Sequence, residues 1–157
     1  MTSNYQRTKA WLEACGKEPS PENLSVQVGC MAEEFLEVLE ALSFHKPGAS
    51  PESSGWREVV ERITADVEAL GKALKKGELL AYVEPKKRVG LLDGLCDVEV
   101  TLNGVAYLAG FDKDGADQEV LASNESKLED GKAVFVEGTT KIGKGASYKA
   151  PDLRGFV

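Results

Sequence analysis

Two stretches decide the fold: AEEFLEVLEAL, Ala32–Leu42, and LLDGLCDVEVTLNG, Leu91–Gly104. At about 100° per residue the first is a helix on which Glu33, Glu37 and Glu40 form one stripe, with Glu34 on its flank. Phe35, Val38, Leu39 and Leu42 take the other side. In the second stretch Asp93 and Asp97 stand one above the other at i and i+4, inside a run of Leu, Val and Cys. Acids on so apolar a helix are expected to be enclosed, where they repel one another, lose hydration and need a compensating cation. Hard oxygen donors converging without His or Cys suit Mg²⁺, or Mn²⁺, and not zinc. The pattern points to metal-dependent phosphate chemistry. A plainer reading of EExxE alone is a solvated helix face; Asp97, set among Leu95, Cys96, Val98 and Val100, argues against it.

Composition narrows the classes further. A chain of 157 residues suits one domain with a core of its own. Its 19 Lys and Arg against 26 Asp and Glu leave a formal charge of −7, which disfavours an open nucleic-acid surface. A small phosphate ligand stays compatible, because bound divalent ions invert the local field. Cys15, Cys30 and Cys96 are odd in number, far apart and without a CxxC pair, so they read as reduced thiols and the expected compartment is the cytoplasm. The opening MTSNYQRTKAWLEAC has no signal-peptide apolar region, and no stretch approaches transmembrane length, so no membrane partner is expected.

Along the chain, periodicity and breakers predict a first helix from Asn4 to about Cys15, ended near Gly16, then the long acidic helix Leu24–Phe44. HKPGASPESSG reads as a surface loop before a helix from Trp56 to Lys76, whose apolar face is Val59, Val60, Ile63, Val67, Leu70 and Leu74. A short helical turn is expected at Leu79–Val83, and a fourth long helix from Lys87 to Leu108 that stops at Gly110. GFDKDGADQEVL is a turn into a short helix through Leu128; its Asp112, Asp114 and Gly115 do not have calcium-loop spacing. Lys132–Val136 and Thr140–Ile142 suggest a hairpin around Glu137–Gly138, followed by a Gly-rich end. The expected fold is thus all-α, a four-helix-bundle-like core over about residues 4–128 with a short hairpin or irregular tail over 129–157, forming a single domain.

At Glu33–Glu34–x–x–Glu37, followed by the Asp-rich fourth helix, the chain resembles the all-α nucleoside triphosphate pyrophosphohydrolases of the MazG-like group, which includes phosphoribosyl-ATP pyrophosphohydrolases and dimeric dUTPases. The resemblance spans roughly Leu24 to Leu153 and looks closest to the small single-domain branch. DGLCDVEVTLNGVAYLAG looks like that branch's helix ending in a Gly turn, SNESK like its Asn-x-Ser-Lys segment, and GKGASYKAPDL like its tail. It implies cleavage of a nucleoside triphosphate between the α and β phosphates, with Mg²⁺ as cofactor, and a homodimer or dimer of dimers. Carried over by position, Glu33, Glu34 and Glu37 match the metal-binding motif, with Glu34 or Glu37 as the base. Asp97 matches the aspartate of the following ExxD motif. Gly94 stands where that motif has Glu, and Asp93, one residue earlier, is the nearest acid. Lys127 and Lys144 are the candidate phosphate contacts, Asn124 a base or phosphate contact, and Tyr148 a stacking residue. The resemblance favours a deoxynucleotide such as dGTP or dCTP. The alternative function is non-catalytic: a nucleotide- or metal-sensing module, or a helical interaction protein.

Overall fold

The computed structural model describes residues 2–44, 56–137 and 142–157. Its described residues are all-α with a two-stranded hairpin: α1 Asn4–Ala14, α2 Pro21–Glu40, α3 Trp56–Lys75, α4 Arg88–Ala109, α5 Lys113–Glu125, then β1 Leu128–Glu129 and β2 Lys132–Ala133. The loop expected at His45–Gly55, and all but Glu137 and Ile142 of the expected turn Glu137–Gly138 and second strand Thr140–Ile142, lie outside the described residues. Two compact units emerge, Pro19–Val83 and a second made of Met1–Glu18 with Glu84–Val157.

The first unit is a helix pair, α2 against α3. Ser20 caps α2 by accepting from the Asn23 N–H, and Pro21 occupies the first turn, where its missing N–H costs nothing. Helix formation therefore begins before Leu24, earlier than apolar periodicity alone places it, and it ends at Glu40, short of Phe44. The face of α2 turned to α3 is not the expected Phe35–Val38–Leu42 side, whose members are exposed. It is the stripe Ser25, Gly29, Ala32 and Leu36, in which Ser25, Gly29 and Leu36 are buried. Small residues win because they let two backbones meet: a Cβ built on Gly29 would stand 2.8 Å from the Gly71 carbonyl oxygen and 2.6 Å from Lys75 Cγ. On α3, Gly71 and Leu74 are buried, while Ile63 and Leu70 stay exposed. The short helical turn expected at Leu79–Val83 is absent. That segment is held without helix by Ser25, 1% exposed, whose Oγ accepts from the Ala81 N–H at 2.7 Å and donates to the Pro21 carbonyl at 2.6 Å.

In the second unit α1 lies against α5. A capping box formed by Ser3 and Gln6 starts α1. Arg7 then spans to α5, donating from Nε and Nη2 to the two Glu125 oxygens at 2.8 Å each, and from Nη1 to Gln118. Asn4 adds bonds to Asp117 and Gln118 at 3.2 and 3.1 Å. A single 3₁₀ turn, Pro85–Lys87, leads into α4, whose end is set by Gly110 in the left-handed region at φ 82°, with the Phe111 N–H donating back to the Ala106 carbonyl. α5 is capped by Asp112 and stops at Glu125, three residues before the expected Leu128. There Glu129–Asp130–Gly131–Lys132 forms a tight hairpin, Asp130 and Gly131 at φ 49° and 74°, with Leu128 paired to Ala133 and Glu129 to Lys132. Two successive positive φ values are what a two-residue turn between twisted strands requires, and Asp-Gly supplies them at least cost. A further antiparallel bridge joins Phe135 to Ile142.

The chain's end runs back over α5. The Ala146 N–H donates to Glu129 at 2.5 Å, the Lys149 N–H to Ser126 Oγ at 2.9 Å, the Asp152 N–H to Glu119 at 3.1 Å, and the Asp112 N–H to the Phe156 carbonyl at 2.9 Å. Phe156 packs on Gly115, where a Cβ would meet the ring at 2.5 Å.

Two expectations follow. Gly29→Ala brings a Cβ into backbone at the α2–α3 crossing and should destabilise the chain by about 1–3 kcal/mol. Gly71→Ala meets its first neighbour only at 3.3 Å, so its gain in helix propensity, up to about 1 kcal/mol, should leave it near neutral; urea unfolding of both variants measures the difference. The second concerns acid. The hydrogen bond from Arg7 holds the Glu125 carboxyl below its usual range, against a smaller opposing effect of burial. A depressed folded-state value means stability present at neutral pH and lost as pH falls through the folded value. Glu125→Gln should therefore cost on the order of 0.5 kcal/mol at pH 7, discounted for solvent screening, and should shrink the stability lost as pH falls below the ordinary carboxylate range.

Candidate functional site

The acidic motif occupies the last two turns of α2. Glu33 is half-buried and ion-paired with Lys75 of α3 at 2.6 Å, a contact that raises the lysine's affinity for its proton, chiefly through the hydrogen bond to Glu33. Side chains on a helix lean toward its N-terminus. Lys75 therefore leans back along α3 and lays its methylenes over Gly29, while Glu33 leans back along α2 to the same level, and the two charges meet there. Glu34, Glu37 and Glu40 are exposed. Among the described residues none of the three has a basic group within 4.0 Å, so Glu34 and Glu37 stay open to an added cation.

Asp93 and Asp97 lie one turn apart on α4, as the spacing predicts, but not in the enclosure expected of them: every residue of 91–100 is exposed. Within its unit α4 meets α5 and the 3₁₀ turn, and of its 22 residues only Ala106 is buried. A Cβ built on Gly104 has nothing within 4 Å, so no helix approaches α4 closely there among the described residues. Among the described residues no three His, Cys, Asp or Glu side chains are gathered so as to hold a metal ion. What each helix offers is a pair of hard oxygen donors of the type Mg²⁺ accepts: Glu34 with Glu37 at i, i+3, and Asp93 with Asp97 at i, i+4.

The four residues expected to meet substrate fall into two local pairs in the second unit. Asn124, in the last turn of α5, accepts from Lys127 Nζ at 2.8 Å, and that ammonium also stands 5.8 Å from the centre of the Trp11 ring. Lys144 lies 4.7 Å from the Tyr148 ring centre. The Ser126–Lys149 hydrogen bond draws the two segments alongside each other. Neither Lys127 nor Lys144 has a carboxylate within 4.0 Å among the described residues, so both keep an unneutralised charge for an anion.

Three participants escape a linear reading. Lys75 is one of several lysines near the end of α3, and only the crossing at Gly29 selects it for Glu33. Arg7 is matched to Glu125 over 118 positions. Trp11, beneath Lys127, has a buried indole N–H without a hydrogen-bond partner. No family model matches the chain, and no curated protein or solved structure is significantly similar to it.

Proposed function

We propose that the chain is a Mg²⁺-dependent nucleoside triphosphate pyrophosphohydrolase, releasing the monophosphate and pyrophosphate. The observation that carries this reading is the contrast along α2: Glu33 is ion-paired with Lys75, while Glu34 and Glu37, one and four residues on, are exposed and have no basic group within 4.0 Å among the described residues. Asp93 and Asp97 supply the second carboxylate pair. Mg²⁺, or Mn²⁺, held by these carboxylates would supply charge neutralisation of the triphosphate. Glu37, or Glu34, takes a proton from the attacking water as its oxygen bonds to the α phosphorus and the bond to the bridging oxygen of the β phosphate breaks. Lys127 and Lys144 hold the departing negative charge, with Lys127 kept extended by Asn124 and Trp11. Tyr148 offers a face for the base. A deoxynucleoside triphosphate, dGTP or dCTP, is the substrate favoured by the MazG-like resemblance.

α4 supports a homodimer, alone or as a dimer of dimers. Val89, Leu92, Val100, Val105, Tyr107 and Leu108 are each more than half exposed, on a helix of about 33 Å at 1.5 Å per residue. So many large apolar side chains on one exposed helix favour a covering partner, and a second copy would provide one. The same exposed surface favours the second reading, a helical interaction module that binds nucleotide or metal without turnover. No described helix is long and apolar enough to cross a membrane, and three free thiols suit a reducing cytoplasm.

Incubation with a panel of NTPs and dNTPs, with and without Mg²⁺, should yield monophosphate and pyrophosphate only when the metal is present. Asp97→Asn and Glu37→Gln should each lower turnover by about 10²-fold or more, with unchanged circular dichroism, whereas Glu40→Gln keeps most activity. Diphosphate plus phosphate would mean a different phosphatase; tight metal-dependent binding without turnover would establish the module instead. For assembly, analytical ultracentrifugation at micromolar concentration should give at least a dimer, and Val100→Lys with Leu108→Lys should shift it to monomer. A wild-type chain sedimenting as a monomer would end the dimer proposal.

A further inference from the structure

A groove of about 510 Å³ lies within the second unit, lined by Ala14, Cys15, Gly16 and Lys17 at the end of α1 and by Lys132, Ala133 and Phe135 of the hairpin. Its floor is apolar: Ala14, the buried Cys15, Ala133 and the Phe135 ring. Its charges are all of one sign. Lys17 stands with its ammonium 6.0 Å from the Phe135 ring centre, and Lys132 leaves the tight Asp130–Gly131 turn opposite Glu129. Neither lysine has a carboxylate within 4.0 Å among the described residues, and Glu129, paired with Lys132 across the hairpin, accepts from the Ala146 N–H.

A helix C-terminus ordinarily adds negative partial charge from unpaired carbonyls. Here three of those carbonyls are taken up. The Cys15, Gly16 and Lys17 N–H groups return to the Trp11, Glu13 and Leu12 carbonyls at 3.0, 2.9 and 2.9 Å, a closure that Gly16 permits at φ 67°. Lys17 and Lys132 are thus the charged side chains that line the groove, in a chain whose formal charge is −7. Two unpaired ammonium groups beside an apolar floor of this size match a small amphipathic anion, because concave sites of some hundreds of Å³ take ligands that are mostly apolar with a few placed polar contacts.

We propose that this groove binds a small organic anion, its flat apolar body on Phe135 and Ala133 and its phosphate or carboxylate head between Lys17 and Lys132. The site uses neither the carboxylates of α2 and α4 nor Lys127 and Lys144, so it stands or falls apart from the pyrophosphohydrolase reading.

Phenyl phosphate, benzoate, inorganic phosphate and benzyl alcohol are the probes, titrated into the full chain carrying Trp56→Phe so that Trp11, one turn before Cys15, reports by fluorescence, with ligand-observed NMR as the second readout. Phenyl phosphate or benzoate should bind saturably in the millimolar range or tighter, and more tightly than either half alone; which of the two binds better identifies the head group. Lys17→Met and Lys132→Met should each weaken binding about three- to tenfold, Lys17→Arg should restore most of it, and Phe135→Ala should erase the preference over inorganic phosphate. Unchanged circular dichroism and thermal midpoints verify folding of each variant. Absence of saturation by about 10 mM phenyl phosphate and benzoate, or saturation indifferent to both lysine substitutions, would overturn the proposal.

Discussion

The backbone contact between α2 and α3 at Gly29 and Gly71 is the constraint on which the acidic face depends. With no side chain between them, the helices come close enough for Lys75 to lie across Gly29 and reach Glu33. A methyl group at Gly29 would push on the Gly71 carbonyl and on the methylenes of Lys75 together, so the packing contact and the choice of which glutamate is neutralised are one event. A part-exposed ion pair of this kind contributes little to stability, on the order of 0.5 kcal/mol. Its consequence is electrostatic: one of three adjacent acids is withdrawn, and Glu34 and Glu37 stay available.

Arg7 has a comparable place in the second unit. Its planar guanidinium binds Glu125 through two parallel bonds and reaches Gln118 with its remaining nitrogen, a fit lysine does not reproduce. α5 thus carries α1 on one side through Arg7 and receives the chain's end through Glu119, Ser126 and Phe156 on Gly115. The tail is poor in apolar residues and is ordered instead by backbone N–H groups donating to side-chain oxygens. Such bonds position Lys144 and Tyr148 beside the Asn124–Lys127 segment without needing a core beneath them.

Much of this is legible in the residues, and the failures have specific causes. The helices over 4–14, 56–75 and 88–109 follow from periodicity and from glycine stops, because those signals are local. The acidic spacing on α2 and α4 is legible for the same reason. The packing face of α2 is not. Hydropathy weights Phe35, Val38 and Leu42, whereas the contact with α3 rewards smallness at Ser25, Gly29 and Ala32, a property only the partner helix reveals. The hairpin is a different lesson: the Phe135–Ile142 bridge joins the two expected strands, while the tight turn at Asp130–Gly131 is not among the expected turns, although Asp-Gly is a strong two-residue turn signal. Pairings such as Arg7–Glu125 and Lys75–Glu33 join distant positions, and one sequence carries no trace of them.

The exposure of Asp97 reshapes the argument for a metal. An enclosed carboxylate would demand a cation simply to exist in a low dielectric; an exposed one does not, since water solvates it. The case for Mg²⁺ on α4 therefore cannot rest on desolvation and rests on the spacing of Asp93 and Asp97. Yet the same helix exposes Val89 and Leu108 by more than four fifths, an arrangement water opposes at roughly 25 cal/mol per Å². A second copy covering that apolar surface, as proposed, would also draw Asp93 and Asp97 away from solvent and raise the demand for a compensating cation. In the proposed dimer, assembly and metal binding would be coupled through one helix: covering α4 would favour the cation, and the cation would lower the cost of covering its acids.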